Sequence, residues 1–153
     1  MKYKNIVILT GAGVSAESGI PVFRSEDGLW ERHKVEDVAT YEGFMRNKTL
    51  VHDFYNKMRL SLPSKEPNAA HKAIAHLQEE WQKQGGDVFL VTQNIDDLHE
   101  RAGSKQVCHM HGELLKMLCE NCHSSFPFSG ASSVESKCLL PSSGIAPRYR
   151  MVR

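Results

Sequence analysis

Two short runs of branched and leucine residues, Ile6-Val7-Ile8-Leu9 and Val88-Phe89-Leu90-Val91, stand out in a chain that is otherwise amphipathic or polar. The first, within residues 5–10 and ended by Gly11, reads as a fully buried strand of parallel type. Gly11-Ala12-Gly13 then turns the chain, and Ser15 to Ser18 opens a short helix that stops before Gly19 and Pro21. From there to about Thr40 the pattern is mixed polar and aromatic without periodicity, which predicts a long functional loop. Phe44, Leu50, Val51, Phe54, Tyr55 and Met58 mark one face of a helix over 44–60, and Pro63 ends it. A second helix is expected over 68–84, with Asn68 as N-cap and Gly85-Gly86 as stop. Residues 88–92 form the second buried strand, followed by the polar turn Gln93-Asn94-Ile95-Asp96. A short helix over 97–102 ends at Gly103, and 106–110 is a third strand. Strand, helices, strand, helix, strand is the order of a doubly wound α/β sheet of Rossmann type. Something smaller begins over 114–122; after Pro127 the chain turns rich in Ser, Gly and Pro, and periodicity is lost. No internal repeat is visible.

Composition narrows the function. Across 153 residues, 19 Lys and Arg balance 18 Asp and Glu, so the net charge is only +1. That argues against a protein holding nucleic acid by bulk electrostatics. Hydrophobic residues make up 41%, enough for one domain's core. No apolar run approaches the roughly 18 residues of a membrane span, and the N-terminal run is too short for a signal peptide. A cytoplasmic location is expected. In that setting the four cysteines, Cys108, Cys119, Cys122 and Cys138, suggest metal or redox chemistry before disulfides.

Four groups of residues could carry chemistry. Gly11-Ala12-Gly13-Val14-Ser15-Ala16 follows a strand and opens a helix, matching the dinucleotide fingerprint G-x-G-x-x-G/A. Its glycines let backbone approach a pyrophosphate while helix-end N–H groups face the charge; a plain glycine turn after a strand is the alternative. Gln93, Asn94 and Asp96 sit at the carboxyl end of a strand, where open sheets bind ligands, or they simply cap the next helix. His109 and His111 follow the third strand, and a histidine there suits general-base duty or a structural role. Cys119-x-x-Cys122 has the spacing of half a zinc site, and Cys138 could add a third ligand; a fourth thiolate is missing.

Taken in order, the block from Gly11 to Arg24 (GAGVSAESGIPVFR), then Thr92-Gln93-Asn94-Ile95-Asp96, then His111-Gly112, then C-x-x-C resembles the sirtuin family. The likeness runs from about residue 3 to 138, and the first block alone is highly specific. It implies an NAD-dependent protein-lysine deacylase with residues 1–113 as the first part of the NAD-binding catalytic domain. It implies that Gly11, Ala12, Gly13, Ser15, Ala16 and Glu17 line the phosphates and ribose of NAD. Phe23 and Arg24 would lie on a flexible cofactor loop, with Phe23 screening nicotinamide. Gln93 and Asn94 would hold the nicotinamide-side ribose, with Ile95 in the same turn and Asp96 on the carboxamide. His111 would be the general base. The acyl-lysine oxygen would attack the ribose carbon as nicotinamide leaves, ending in free lysine and O-acyl-ADP-ribose. Its partner would be an acylated lysine in a protein loop, pairing as an added strand. Zinc would be structural, with Cys119, Cys122 and Cys138 as three ligands in the start of a zinc ribbon over 114–138.

Sirtuins that remove acidic acyl groups carry Tyr-x-x-Arg in the helix before the second strand. Here Tyr55 fits, Met58 takes the arginine's place, and Arg59 falls one position late, about 100° around the helix. Deacetylation is therefore favoured over desuccinylation or demalonylation, which would need Arg59 to reach through its long side chain.

The end of the chain departs from the family. A sirtuin should return through a stretch like Arg-Pro-Asp-Ile-Val-Trp-Phe and add further strands. One permitted codon string for Ala146 to Arg153, read one base later, spells that stretch. The expectation is a frameshift near 138–140, with 139–153 non-native, and a chain that is an incomplete deacylase or an inactive sirtuin fragment.

Overall fold

The computed structural model describes residues 4–22, 29–30, 32–119, 123–136 and 149–152. Phe23, Arg24, Cys122 and Cys138 lie outside the described residues. The fold divides into two compact units: residues 1–22 with 64–113, and residues 23–63 with 114–152.

In the first unit, β1 (Asn5–Thr10), β4 (Asp87–Thr92) and β5 (Val107–His109) form a parallel sheet in the order β1-β4-β5. β1 and β4 run in register from Asn5 opposite Asp87 to Thr10 opposite Thr92, and β5 sets Val107 to His109 opposite Leu90 to Thr92. α4 (Ala69–Lys83) packs on β4. Its Gln78 side chain donates to the Val88 and Lys105 carbonyls, and its Trp81 indole donates to the Lys4 carbonyl. Asn68 caps α4 as expected, and Gly85 leaves it with φ +77°. α5 (Leu98–Arg101) follows β4 and is released by Gly103 at φ +102°.

The strands are not buried on both faces. Val88, Leu90 and Thr92 are covered, whereas Val7 is 69%, Leu9 63% and Phe89 46% exposed. A continuous apolar run reads as a strand covered twice, but among the described residues cover is found on one face only. A row of apolar side chains opposite one another (Val7 by Phe89, Leu9 by Val91) is an association hazard in water. Replacing Val7 by Thr and Leu9 by Lys is expected to shift the purified chain toward monomer in sedimentation, with the circular dichroism unchanged.

Several element limits also moved. The segment after β1 is a 3-10 helix from Ala12 to Ser18, starting earlier than expected. The stretch read as one long loop contains β2 (Leu29–Trp30), β3 (His33–Lys34) and α1 (Val35–Val38). These elements are too short for periodicity to register. The helix expected over 44–60 is two, α2 (Tyr41–Arg46) and α3 (Lys48–Ser61). Asn47 interrupts them with φ −148° and ψ 81°, accepting the Leu50 N–H on its side chain. Asparagine offers such local bonds, so it breaks helices that their apolar face would continue.

In the second unit α3 buries Val51, His52, Phe54, Tyr55 and Arg59. β6 (Glu113–Cys119) pairs antiparallel with β7 (Ser125–Pro127), and β8 (Tyr149–Val152) flanks β6 on its other side. Thus the segment whose periodicity is lost still ends in a short strand. Met117 and Cys119 are buried against Phe126 and Phe128.

Candidate functional site

Parallel strands deliver their carboxyl ends to one edge, so the loops after β1, β4 and β5 converge. That is where open α/β sheets bind ligands. Ser15, only 1% exposed, is the centre of the convergence. Its hydroxyl donates to Asp96 Oδ2 at 3.0 Å and accepts from Asn94 Nδ2 at 3.0 Å. Asp96 Oδ1 accepts the Leu98 N–H, and Thr92 Oγ1 accepts the Asn94 N–H. Asp96 and Asn94 are themselves buried, so the turn 93–96 is held from within and only Gln93 stands out in solvent. Each Asp96 oxygen has one internal donor, and a carboxylate oxygen takes two, so capacity remains for a ligand N–H.

The glycine loop offers room. A Cβ at Gly13 would meet nothing within 4 Å, and Gly13 has no left-handed backbone that would demand glycine. Nothing else in the described fold requires glycine at that position. Gly13, Ala16 and Glu17 are exposed, while Gly11 and Ala12 are half-buried. At Gly11 a Cβ would touch Gln93 Oε1 at 3.5 Å, which is ordinary contact.

His109, the last residue of β5, and His111, two positions on, differ in how they are held. His109 Nδ1 lies 2.9 Å from the Asn94 carbonyl and Nε2 2.7 Å from Glu100 Oε1, so both ring nitrogens are occupied. Burial works against its charge, but the Glu100 hydrogen bond, the Asn94 carbonyl and nearby carboxylates outweigh that, raising its pKa. Glu100 is correspondingly lowered: burial opposes its charge, and the His109 hydrogen bond is the main influence that overcomes it. His111 is exposed, with Nδ1 3.1 Å from the Gln93 carbonyl. Gly112, at φ +86°, makes the turn that presents it. Of the pair, His109 has both ring nitrogens engaged, whereas His111 is exposed.

The ion pair gives a pH prediction. His109, raised above its ordinary 6.5, contributes stability fully below that pH and loses it as pH rises through the raised value. Glu100, depressed below 4.5, contributes above that pH and loses it as pH falls through the depressed value. The pair therefore stabilises most between about pH 4.5 and 6.5. Glu100→Gln should lower the unfolding midpoint most within that window and flatten its fall above pH 6.5 and below pH 4.5; an unchanged profile would contradict the pairing.

Comparison with known proteins decides the family. The sequence profile described as "Sir2 family" matches residues 11–141. The chain belongs to the Sir2 family. It is 61% identical over 119 residues to an NAD-dependent protein deacylase of Vibrio vulnificus, covering 76% of this chain and 47% of that protein. A second NAD-dependent protein deacylase, from Caulobacter vibrioides, is 49% identical over 133 residues, covering 87% and 56%. Among solved structures, a Sir2 homologue in complex with NAD superposes with TM-score 0.78 at 40% identity, covering 98% of this chain and 56% of that one. A Sir2 protein bound to a propionylated peptide superposes at 0.73 with 28% identity, covering 98% and 58%. The chain thus spans about half the length of the relatives it matches. The Rossmann-like α/β fold expected of this Sir2 chain holds.

Within that fold, Gly11, Ala12, Gly13, Ser15, Ala16 and Glu17 share one edge with Gln93, Asn94, Ile95, Asp96 and His111. The expectations for Phe23, Arg24, Cys122 and Cys138 fall outside the described residues. Cys119 is fully buried at the end of β6, where the backbone doubles back: His123 N–H donates to the Cys119 carbonyl and Cys119 N–H to Ser124. Among the described residues no three His, Cys, Asp or Glu side chains gather as a metal site.

Tyr55 and Arg59 are both buried within the second unit. Arg59 is 1% exposed; Nε donates to the Leu114 carbonyl and Nη1 to Asn56 Oδ1 and the Gly130 carbonyl. Nη2 lies 3.6 Å from Met117 Sδ, and the guanidinium stacks 5.2 Å over Phe128. Tyr55 is buried, edge-on to Phe54 and Trp30. Both line a cavity of about 20 Å³ with Phe44, Val51, His52, Met117 and Ser132, the size of one water.

Sequence reading missed His71, His99, Thr10 and Thr92 as parts of the site. Thr10 and Thr92 end their strands side by side with hydroxyls 2.9 Å apart, and His71 and His99 are both fully buried. The only early signal was that a strand ending in threonine twice, before two polar loops, is an unusual choice for an apolar core.

Proposed function

We propose that this chain carries the NAD-binding and general-base half of a protein-lysine deacylase, acting on acylated lysine and releasing nicotinamide and O-acyl-ADP-ribose. The observation that carries this reading is the convergence of the open Gly13 loop, the Ser15–Asn94–Asp96 cluster and exposed His111 on one sheet edge. The glycine loop fits a pyrophosphate, since the space a Cβ would occupy is empty and backbone can come close. NAD supplies the activated ribose carbon when bound. Ser15 and Asn94 fix the Asp96 carboxylate so that it can accept from an amide, and the exposed Gln93 amide suits ribose hydroxyls. His111 Nε2 takes a proton at a position open to solvent while the Gln93 carbonyl holds Nδ1. A turn that holds its own polar groups, as capping alone would need, does not require the open Gly13.

Deacetylation is the favoured activity. Met58 brings no charge where an acidic acyl group would be read, and four of the five N–H donors of Arg59 are engaged within its unit. Zinc would be held by Cys119, Cys122 and Cys138 as a structural ion; metal analysis of the purified chain tests it. A cytoplasmic location agrees with the exposed Cys108 thiol and with the lack, among the described residues, of any helix able to cross a membrane.

The cofactor claim is tested by calorimetric titration of the chain with NAD. Gly13→Ala should weaken NAD by at least fivefold while leaving thermal stability equal or slightly higher, since alanine suits a helical turn better. Equal affinity in the variant would remove the reason given for the glycine.

A further inference from the structure

Two buried histidines flank the site, and their hydrogen-bond partners determine where their protons are. The Asn68 backbone N–H, which can only donate, points at His71 Nδ1 at 3.3 Å. Nδ1 is therefore unprotonated, and the proton of neutral His71 sits on Nε2. Nε2 lies 3.4 Å from Ser15 Oγ, whose own hydrogen is spent on Asp96 Oδ2. A one-way chain results: Asn68 N–H to His71, His71 to Ser15, Ser15 to Asp96.

The same reasoning applies to His99. Thr10 donates its hydroxyl hydrogen to Thr92 Oγ1, so His99 Nε2, 3.0 Å away, must donate to Thr10. His99 Nδ1 is buried with no partner among the described residues. An orphaned acceptor costs less than an orphaned cationic N–H, which keeps this ring neutral. The two rings stack edge to face at 4.7 Å between centroids. Titratable groups acting on the pair are Asp96 on both rings, with Glu100 and His109 on His99. Burial is the leading influence on each and lowers both pKa values.

Asn68 ties this pair to the loop. Its Oδ1 accepts from the Ala70 and His71 N–H groups, while Nδ2 donates to the Val14 carbonyl and Ser18 Oγ. The start of α4 is thus fastened both to the His71 ring and to the segment carrying Ser15.

We propose that His71 and His99 form a buried pair, each locked as the neutral Nε2–H tautomer, that fixes the hydroxyl directions of Ser15 and Thr10. They are positioning residues for the loop after β1. Their effect on NAD rests on the cofactor reading above; the tautomer lock does not.

The test is a long-range proton–nitrogen spectrum of the nitrogen-15 labelled chain at pH 5.5 and 7.5, assigned by His71→Phe and His99→Phe. Two rings with hydrogen on Nε2, bare Nδ1 and no change between the two pH values are expected. Hydrogen on Nδ1 in either ring, or protonation within that range, overturns the lock. NAD titration then reads the consequence. His99→Phe keeps the ring stack and removes the donor to Thr10, and Thr10→Val removes the acceptor at nearly equal shape. Each should weaken NAD about fivefold, and the double variant no further, because both delete one interaction. Additive losses or unchanged affinity overturn the positioning role. Expected tautomers in a chain that binds no NAD would support the lock and overturn the cofactor reading.

Discussion

Arg59→Ala is expected to destabilise the unit formed by residues 23–63 and 114–152 by about 2–4 kcal/mol, a large share of such a unit's stability. Arg59 is fully buried and joins α3 to β6 through the Leu114 carbonyl and to the following loop through the Gly130 carbonyl. Truncation leaves those carbonyls without their donors and opens the space beneath Phe128. Lysine should not rescue it, because one ammonium cannot reproduce donors fixed in a planar fork. Trp30, edge-on to Phe54 and Tyr55, reports on this unit by fluorescence. Denaturant unfolding followed at Trp30 checks the prediction; a loss under about 1 kcal/mol would show that Arg59 is no hub.

His111→Ala is expected to lower deacylation at least 100-fold, the ordinary range for removing a general base, while NAD affinity stays within about threefold. The assay joins residues 1–138 of this chain to the remaining half of the Vibrio vulnificus relative, which the chain covers to only 47%. Of the two, His111 is exposed, whereas His109 is committed on both nitrogens to Asn94 and Glu100. His109→Ala should therefore disturb stability and its pH dependence more than proton transfer. A fused enzyme that keeps its rate without His111 would require another base.

The parallel strands and the site loops were legible because their signals are local. An apolar run followed by Gly11, or by Gln93-Asn94, is one strand end and its loop. Asn68 was legible as a cap, since capping needs only its neighbours. Burial of both sheet faces was misread because cover is a property of distant chain, and Val7 and Leu9 look the same whether covered or bare. Arg59 was weighed as a substrate contact through the resemblance to the Tyr-x-x-Arg motif, with helix phase counting against it. Its carbonyl partners lie 55 and 71 positions away, beyond any spacing rule. The His71–His99 pair was hidden for the same reason, two positions on different helices meeting behind the strand ends.

The most direct test of the proposed function is the fate of the acyl group. The fused protein, given NAD and an acetyl-lysine peptide, should yield nicotinamide, free lysine and O-acetyl-ADP-ribose in equal amounts by mass spectrometry. Release of free acetate without NAD consumption, or no deacylation by a fusion that folds and binds NAD, would contradict it.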